Sequence, residues 1–231
     1  MKIISALVHC FTASGMIAIM LSLDAVWRGD AQLALLWLGG ALVIDGLDGP
    51  LARWAKVSDN LPHIDGATLD LVIDYASYCL VPALIIYRFG LVPEGYEIAI
   101  AALILVASLY VFSNRELKTE ENDFRGFPAL WNIVVLYFVV FETPAVFNAI
   151  LCVFLSGFIF APILIVHPFR VVALRPLTVA ASVVWLGCAS AYLVRPELAQ
   201  NLSINLAFGA VSLYFTILCL YRSGRQPFLR G

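Results

Sequence analysis

The chain has 231 residues, of which 62% are hydrophobic and 13% charged, and its mean hydropathy is +0.92; a soluble domain, at roughly 45–50% apolar, could not hide that much apolar surface. A formal net charge of −2 gives no electrostatic case for nucleic acid or for a strongly acidic partner. The five cysteines, Cys10, Cys79, Cys152, Cys188 and Cys219, stand singly in apolar runs with no CxxC spacing, so they read as small core residues and support neither a zinc site nor a disulfide framework.

In chain order, the apolar runs predict eight helices at 4–27, 32–54, 66–88, 96–114, 127–142, 145–166, 176–194 and 201–221. Several approach the roughly 20 residues that cross about 30 Å of hydrocarbon. Barrel strands are excluded, because they alternate apolar and polar residues and these runs are apolar on nearly every side. Lys2 precedes an apolar stretch with no clean small-x-small cleavage site, so the first segment reads as a retained membrane helix. The whole of 1–231 reads as one all-α transmembrane domain without internal repeats. With the N-terminus cytoplasmic, inside segments hold Lys2, Arg53, Lys56, Arg115, Lys118, Arg125, Arg170, Arg175, Arg222, Arg225 and Arg230, leaving Arg28, Arg88 and Arg195 outside. That asymmetry predicts both termini, and the polar links 54–65 and 114–126, on the cytoplasmic side.

Four carboxylates stand within apolar runs, near one face of the membrane, where each charge is costly. Asp45 and Asp48 end the second apolar run, and Asp70 and Asp74 lie in the start of the third; each costs roughly 2.5–3.5 kcal/mol at a helix centre on insertion scales. At 100° per residue, Asp45, Asp48, Gly49, Ala52 and Arg53 share an arc of about 140°, and Gly66, Asp70 and Asp74 form an i, i+4, i+8 stripe. The twelve residues between Arg53 and Gly66 suit antiparallel neighbours, so the two acidic faces can converge. Converging carboxylates repel unless something cationic sits among them. An all-oxygen set suits hard Mg²⁺ or Mn²⁺, and two ions about 3.5–4 Å apart could clamp a diphosphate. Gly49 and Gly66 would let a ligand press on the helix backbone, and Arg53 offers a fork for phosphate or carboxylate. Asp59 and Asp65 read as helix-end caps.

The stretch Asp45-Gly-Leu-Asp-Gly-Pro-Leu-Ala-Arg53, then Gly66-Ala-Thr-Leu-Asp70-Leu-Val-Ile-Asp74, is similar to the signature of the CDP-alcohol phosphotransferase family, DxxDGxxAR followed by GxxxDxxxD. Most of that family has eight or nine residues between the two halves, where this chain has twelve. The longer gap resembles the bacterial members that use choline, as do Lys118-Thr, Phe124-Arg-Gly-Phe-Pro-Ala-Leu-Trp-Asn132, His167-Pro-Phe-Arg170 and Arg175-Pro-Leu-Thr178. The resemblance implies a transmembrane helical core in the bacterial inner membrane, a homodimer, and attack of an alcohol on the β-phosphorus of CDP-diacylglycerol with release of CMP. It implies that Asp45, Asp48 and Asp70 hold one divalent cation, that Asp45, Asp70 and Asp74 hold or border a second, and that Asp74 is the general base. It places the cytidine and diphosphate along Gly49, Ala52, Arg53 and Gly66, with Thr12 facing cytidine; the family usually has arginine three residues after that threonine, where this chain has Gly15.

Choline's quaternary ammonium cannot donate hydrogen bonds, so its recognition calls for aromatic faces. Tyr75, Tyr78 and Trp131, with Phe124 and Phe127, are the candidates, although aromatics also gather at membrane interfaces without any such role. Serine, glycerol 3-phosphate or an inositol phosphate remain alternative acceptors. The last two would need a basic pocket, for which 114–126 offers Arg115, Lys118 and Arg125 among four acids. From another class, a cation carrier would use intramembrane aspartates as its ion path.

Overall fold

The computed structural model describes residues 1–114, 124–161, 164–165 and 175–225. The first two helices, α1 (Lys2–Arg28) and α2 (Ala31–Trp54), form an antiparallel hairpin. Gly29 takes the left-handed conformation (φ 81) that ends α1, and Asp30 caps α2 by accepting from the Leu33 N–H at 2.8 Å. Buried hydroxyls fix the register at both ends of the hairpin. Ser22 donates to the Ala34 carbonyl at 2.8 Å, and Ser5 donates to the Ala55 carbonyl at 3.2 Å. The Asn60 amide adds bonds to Ser5, Ala55 and Lys56. Apolar burial drives little association between helices in lipid, so packing and such specific polar ties are what join them.

After the short α3 (Val57–Asn60), Asp65 caps α4 (Gly66–Tyr75) through the Ala67 and Thr68 N–H groups, both at 3.1 Å. The rod continues through one wide π turn (Ala76–Leu80) into α5 (Val81–Arg88). Pro82 has no N–H to give the Tyr78 carbonyl, and the Val81 N–H reaches back five residues to Ala76. The remaining helices are α6 (Glu97–Ser113), α7 (Trp131–Val140), α8 (Ala145–Phe158), α9 (Arg175–Val194) and α10 (Leu202–Arg225).

Five segments are long and apolar enough to cross a membrane: Lys2–Arg28, Ala31–Trp54, Gly66–Arg88, Pro176–Val194 and Leu202–Tyr221. Three shorter apolar helices, Glu97–Ser113, Trp131–Val140 and Ala145–Phe158, complete the eight positions expected. The protein is an all-α, multi-pass membrane protein.

Two boundaries differ from expectation. The fifth predicted helix, 127–142, begins only at Trp131, and the sixth, 145–166, ends at Phe158. Gly126 (φ 75) lies so close to the Phe158–Ile159 backbone that any Cβ there would collide with main-chain atoms. The Phe158 carbonyl accepts from the Phe127 N–H at 3.3 Å, and beyond it Phe124 and Arg125 (β1) pair antiparallel with Ile165 and Leu164 (β2). That tertiary crossing takes the backbone groups a longer helix would have used.

Candidate functional site

The α1–α2 hairpin and the α4 rod bring the acidic stripes together. Asp45 from α2, with Asp70 and Asp74 from α4, each offers one carboxylate oxygen, and the three oxygens lie within 4.8 Å of one another. Asp48 is 6% exposed, and its carboxyl lies within hydrogen-bonding reach of Thr12 on α1 and of Asp70. Thus all four expected carboxylates meet, with Thr12 beside them. Two ionised carboxylates about 4 Å apart repel by about 4 kcal/mol at an effective dielectric of about 20. One oxygen of Asp74, Oδ1, is buried with no hydrogen-bond partner. A buried carboxylate oxygen left in that state costs free energy unless a ligand completes it. Carboxylate oxygens this close could share one small hard cation. The donor set, its spacing and the orphaned oxygen therefore fit a hard divalent cation.

The other expected ligand contacts are placed as follows. Arg53 is exposed and folds back over Gly49, where a Cβ would stand 3.4 Å from the guanidinium Nη1; Ala52 lies half-buried beside it. Gly66 has a different neighbour from the one anticipated. A Cβ there would meet the His9 ring at 3.0 Å, so in this structure the glycine makes room for a side chain of α1. Gly15, in place of the family's usual arginine, sits close against Ile73, whose methyl a Cβ there would meet at 3.0 Å, with Ile44 at 3.8 Å.

No family model matches the chain. It is 42% identical over 221 residues to a phosphatidylcholine synthase of Pseudomonas aeruginosa, covering 96% of this chain and 92% of that protein. It is 34% identical over 221 residues to a phosphatidylcholine synthase of Borreliella burgdorferi, covering 94% and 92%. To one of Mesorhizobium japonicum it is 39% identical over 193 residues, covering 83% and 72%. The chain belongs to the phosphatidylcholine synthase family.

Within that family frame, the aromatic candidates need correction. Trp131 is 0% exposed, donates its indole N–H to the Ser108 hydroxyl at 2.9 Å and packs edge-on against buried Phe127, with ring centroids 4.9 Å apart. Tyr78 is 7% exposed, and its hydroxyl donates to Asp45 Oδ2 at 2.5 Å. Neither ring offers an open face for a bulky cation. Tyr75 is half-buried, with its hydroxyl on the Leu105 carbonyl at 3.1 Å and its ring edge-on to Phe112. The reason is depth, since helical periodicity gives direction around an axis but not how much protein lies outward of a ring. Arg115, Lys118, the side chains of Phe124 and Arg125, and the His167–Arg170 motif lie outside the described residues.

Sequence reasoning passed over one residue, His9, and the hydroxyl of another, Tyr78, which it offered only as an aromatic face. His9 packs against Gly66 one turn before Thr12, with a buried Nε2 that has no partner; the signal available was a histidine within the apolar run of the first helix. The Tyr78 hydroxyl is the other, and its signal was position i+4 after Asp74, which extends the acidic stripe by one turn.

Proposed function

We propose that this chain transfers the phosphatidyl group of CDP-diacylglycerol to choline, giving phosphatidylcholine and CMP. The observation that carries the reading is the convergence of Asp45, Asp70 and Asp74, one carboxylate oxygen of each within 4.8 Å of the others, with Asp74 Oδ1 buried and unpartnered, in a chain belonging to this family. Asp45, Asp48, Asp70 and Asp74 would hold two divalent cations, Mn²⁺ or Mg²⁺. When bound, these ions neutralise the diphosphate and the negative charge that develops on departing CMP.

The remaining chemistry belongs to the chain's own residues. Arg53, exposed and folded over Gly49, would present its guanidinium to a phosphate oxygen. Thr12, whose hydroxyl donates to the Val8 carbonyl at 3.3 Å, lies beside Asp48 and would face the cytidine. Asp74 accepts the choline hydroxyl proton as the choline oxygen bonds to the β-phosphorus. The bond from that phosphorus to the bridging oxygen breaks, and its electron pair leaves with CMP. Both acyl chains stay in lipid and enter between helices. The protein would act as a homodimer in the bacterial inner membrane, with termini and site on the cytoplasmic side.

The test is CMP release by purified protein given CDP-diacylglycerol and a panel of alcohols. Choline should be the preferred acceptor. Equal release with serine or glycerol 3-phosphate and none with choline would remove the acceptor assignment while keeping the phosphotransfer. Cation flux in liposomes without CMP would replace the enzyme by a carrier.

A further inference from the structure

We infer that Tyr78 is a positioning residue that aims the Asp45 carboxylate into the aspartate cluster; this rests on the reading of Asp45, Asp70 and Asp74 as a cation site. Asp45 stands on α2, across the helix interface from the other two carboxylates, so the cluster closes only if its side chain is held toward α4. Repulsion from Asp70 and Asp74 works against that orientation. The Tyr78 hydroxyl opposes it, bridging the two helices with a bond of 2.5 Å to Asp45 Oδ2. An O–H···O⁻ bond of about 2.5–2.7 Å is charge-assisted and roughly twice as strong as a neutral one.

The local backbone is built to hold this contact. Gly66, Asp70, Asp74 and Tyr78 recur every four residues, which puts the phenol one turn beyond the last aspartate on the same stripe. Tyr78 lies in the π turn Ala76–Leu80, and single π turns inside α-helices occur often at functional sites. The turn is anchored on both sides, by the Tyr75 hydroxyl on the Leu105 carbonyl and by the Cys79 thiol, whose S–H donates to the Ala129 carbonyl at 3.6 Å. With its ring 7% exposed and its neighbours tied to α6 and the segment before α7, the phenol has one place to put its oxygen. A ring so enclosed cannot also receive a trimethylammonium group.

The experiment compares wild type, Tyr78→Phe and Asp45→Asn as purified full-length protein in detergent. Binding of Mn²⁺ alone is titrated through the spectroscopic signal of the free ion, with kcat and the choline KM measured in parallel. Loss of a hydrogen-bond partner behind a metal ligand typically weakens metal affinity by about 10- to 100-fold, and Tyr78→Phe should fall in that range while the choline KM stays within about twofold. Asp45→Asn should weaken Mn²⁺ binding further. Wild-type Mn²⁺ affinity in Tyr78→Phe, beside weakened binding in Asp45→Asn, overturns the positioning role and leaves the cation site standing. Wild-type affinity in both variants overturns the cation site itself. A raised choline KM with unchanged Mn²⁺ affinity in Tyr78→Phe would return the residue to acceptor binding and overturn the inference.

Discussion

The rod Gly66–Arg88 and the last helix, Leu202–Tyr221, are comparably apolar, yet half of the most apolar stretch of the first is buried in the protein against 11% for the second. The difference separates two uses of one composition. The inner rod carries Asp70 and Asp74, which face Asp45 of α2, and a deformed turn, at which the Tyr75 and Tyr78 hydroxyls reach α6 and α2. The outer helix shows Leu206, Leu213, Ile217 and Leu220 outward, which in lipid costs nothing. Hydropathy finds the spans, and what each span touches assigns the work.

The strongest way to break this division is at the inner rod. Asp74→Asn removes the base and a cation ligand together, so it should lower kcat/KM for CMP release by at least about 10²–10⁴-fold, the usual contribution of a general base, with no fall in melting temperature. Exhaustive chelation should likewise abolish CMP release, and Mn²⁺ or Mg²⁺ should restore it. Turnover near wild type in Asp74→Asn would remove chemistry from the rod.

Next in size is Trp131→Ala in α7. Emptying a fully buried indole site should cost about 3–5 kcal/mol of stability, seen as a large drop in melting temperature, while protein that remains folded keeps its choline KM. A raised KM with stability intact would mean that the ring meets the acceptor after all. Gly126→Ala is expected to cost less by conformation alone, about 1–2 kcal/mol for the left-handed backbone. Collision with the Phe158–Ile159 main chain adds to that, so expression and melting temperature should both fall. A neutral Gly126→Ala would show that the crossing before α7 is dispensable.

What the sequence disclosed follows the same division. The acidic stripes were readable because Asp45, Asp48, Asp70 and Asp74 lie on regular helix, where 100° per residue is a sound ruler. The ruler says nothing about radial depth, so Trp131 and Tyr78 read as ligand-facing rings when one is sealed in the core and the other is turned onto Asp45. It also fails where distant backbone decides an end, as at Phe158, whose carbonyl is claimed by Phe127. Gly66 read as a place where a ligand presses on the helix backbone, and the structure shows a side chain of α1, His9, in close approach there.

The smallest predicted effect tests the outer helices directly. Trp185 on α9 donates its indole N–H to the Tyr137 hydroxyl at 3.2 Å, and Tyr137 on α7 lies 2.8 Å from the Ser212 hydroxyl on α10. Ser212 donates its own proton to the Phe208 carbonyl at 2.8 Å, so the Tyr137 proton is the one shared between the two hydroxyls. This relay joins three helices through a single serine on α10. Ser212→Ala removes its last link but leaves Tyr137 with the Trp185 donor, so no buried group loses every partner. Interhelical hydrogen bonds in membranes average about 0.6 kcal/mol, and Ser212→Ala should therefore give a small downward shift in denaturant or thermal midpoint, with CMP release unchanged. A fall in CMP release comparable to that of an aspartate variant, at unchanged stability, would show that α10 shares in the chemistry, and the division between working rod and lipid-facing helix would have to be redrawn.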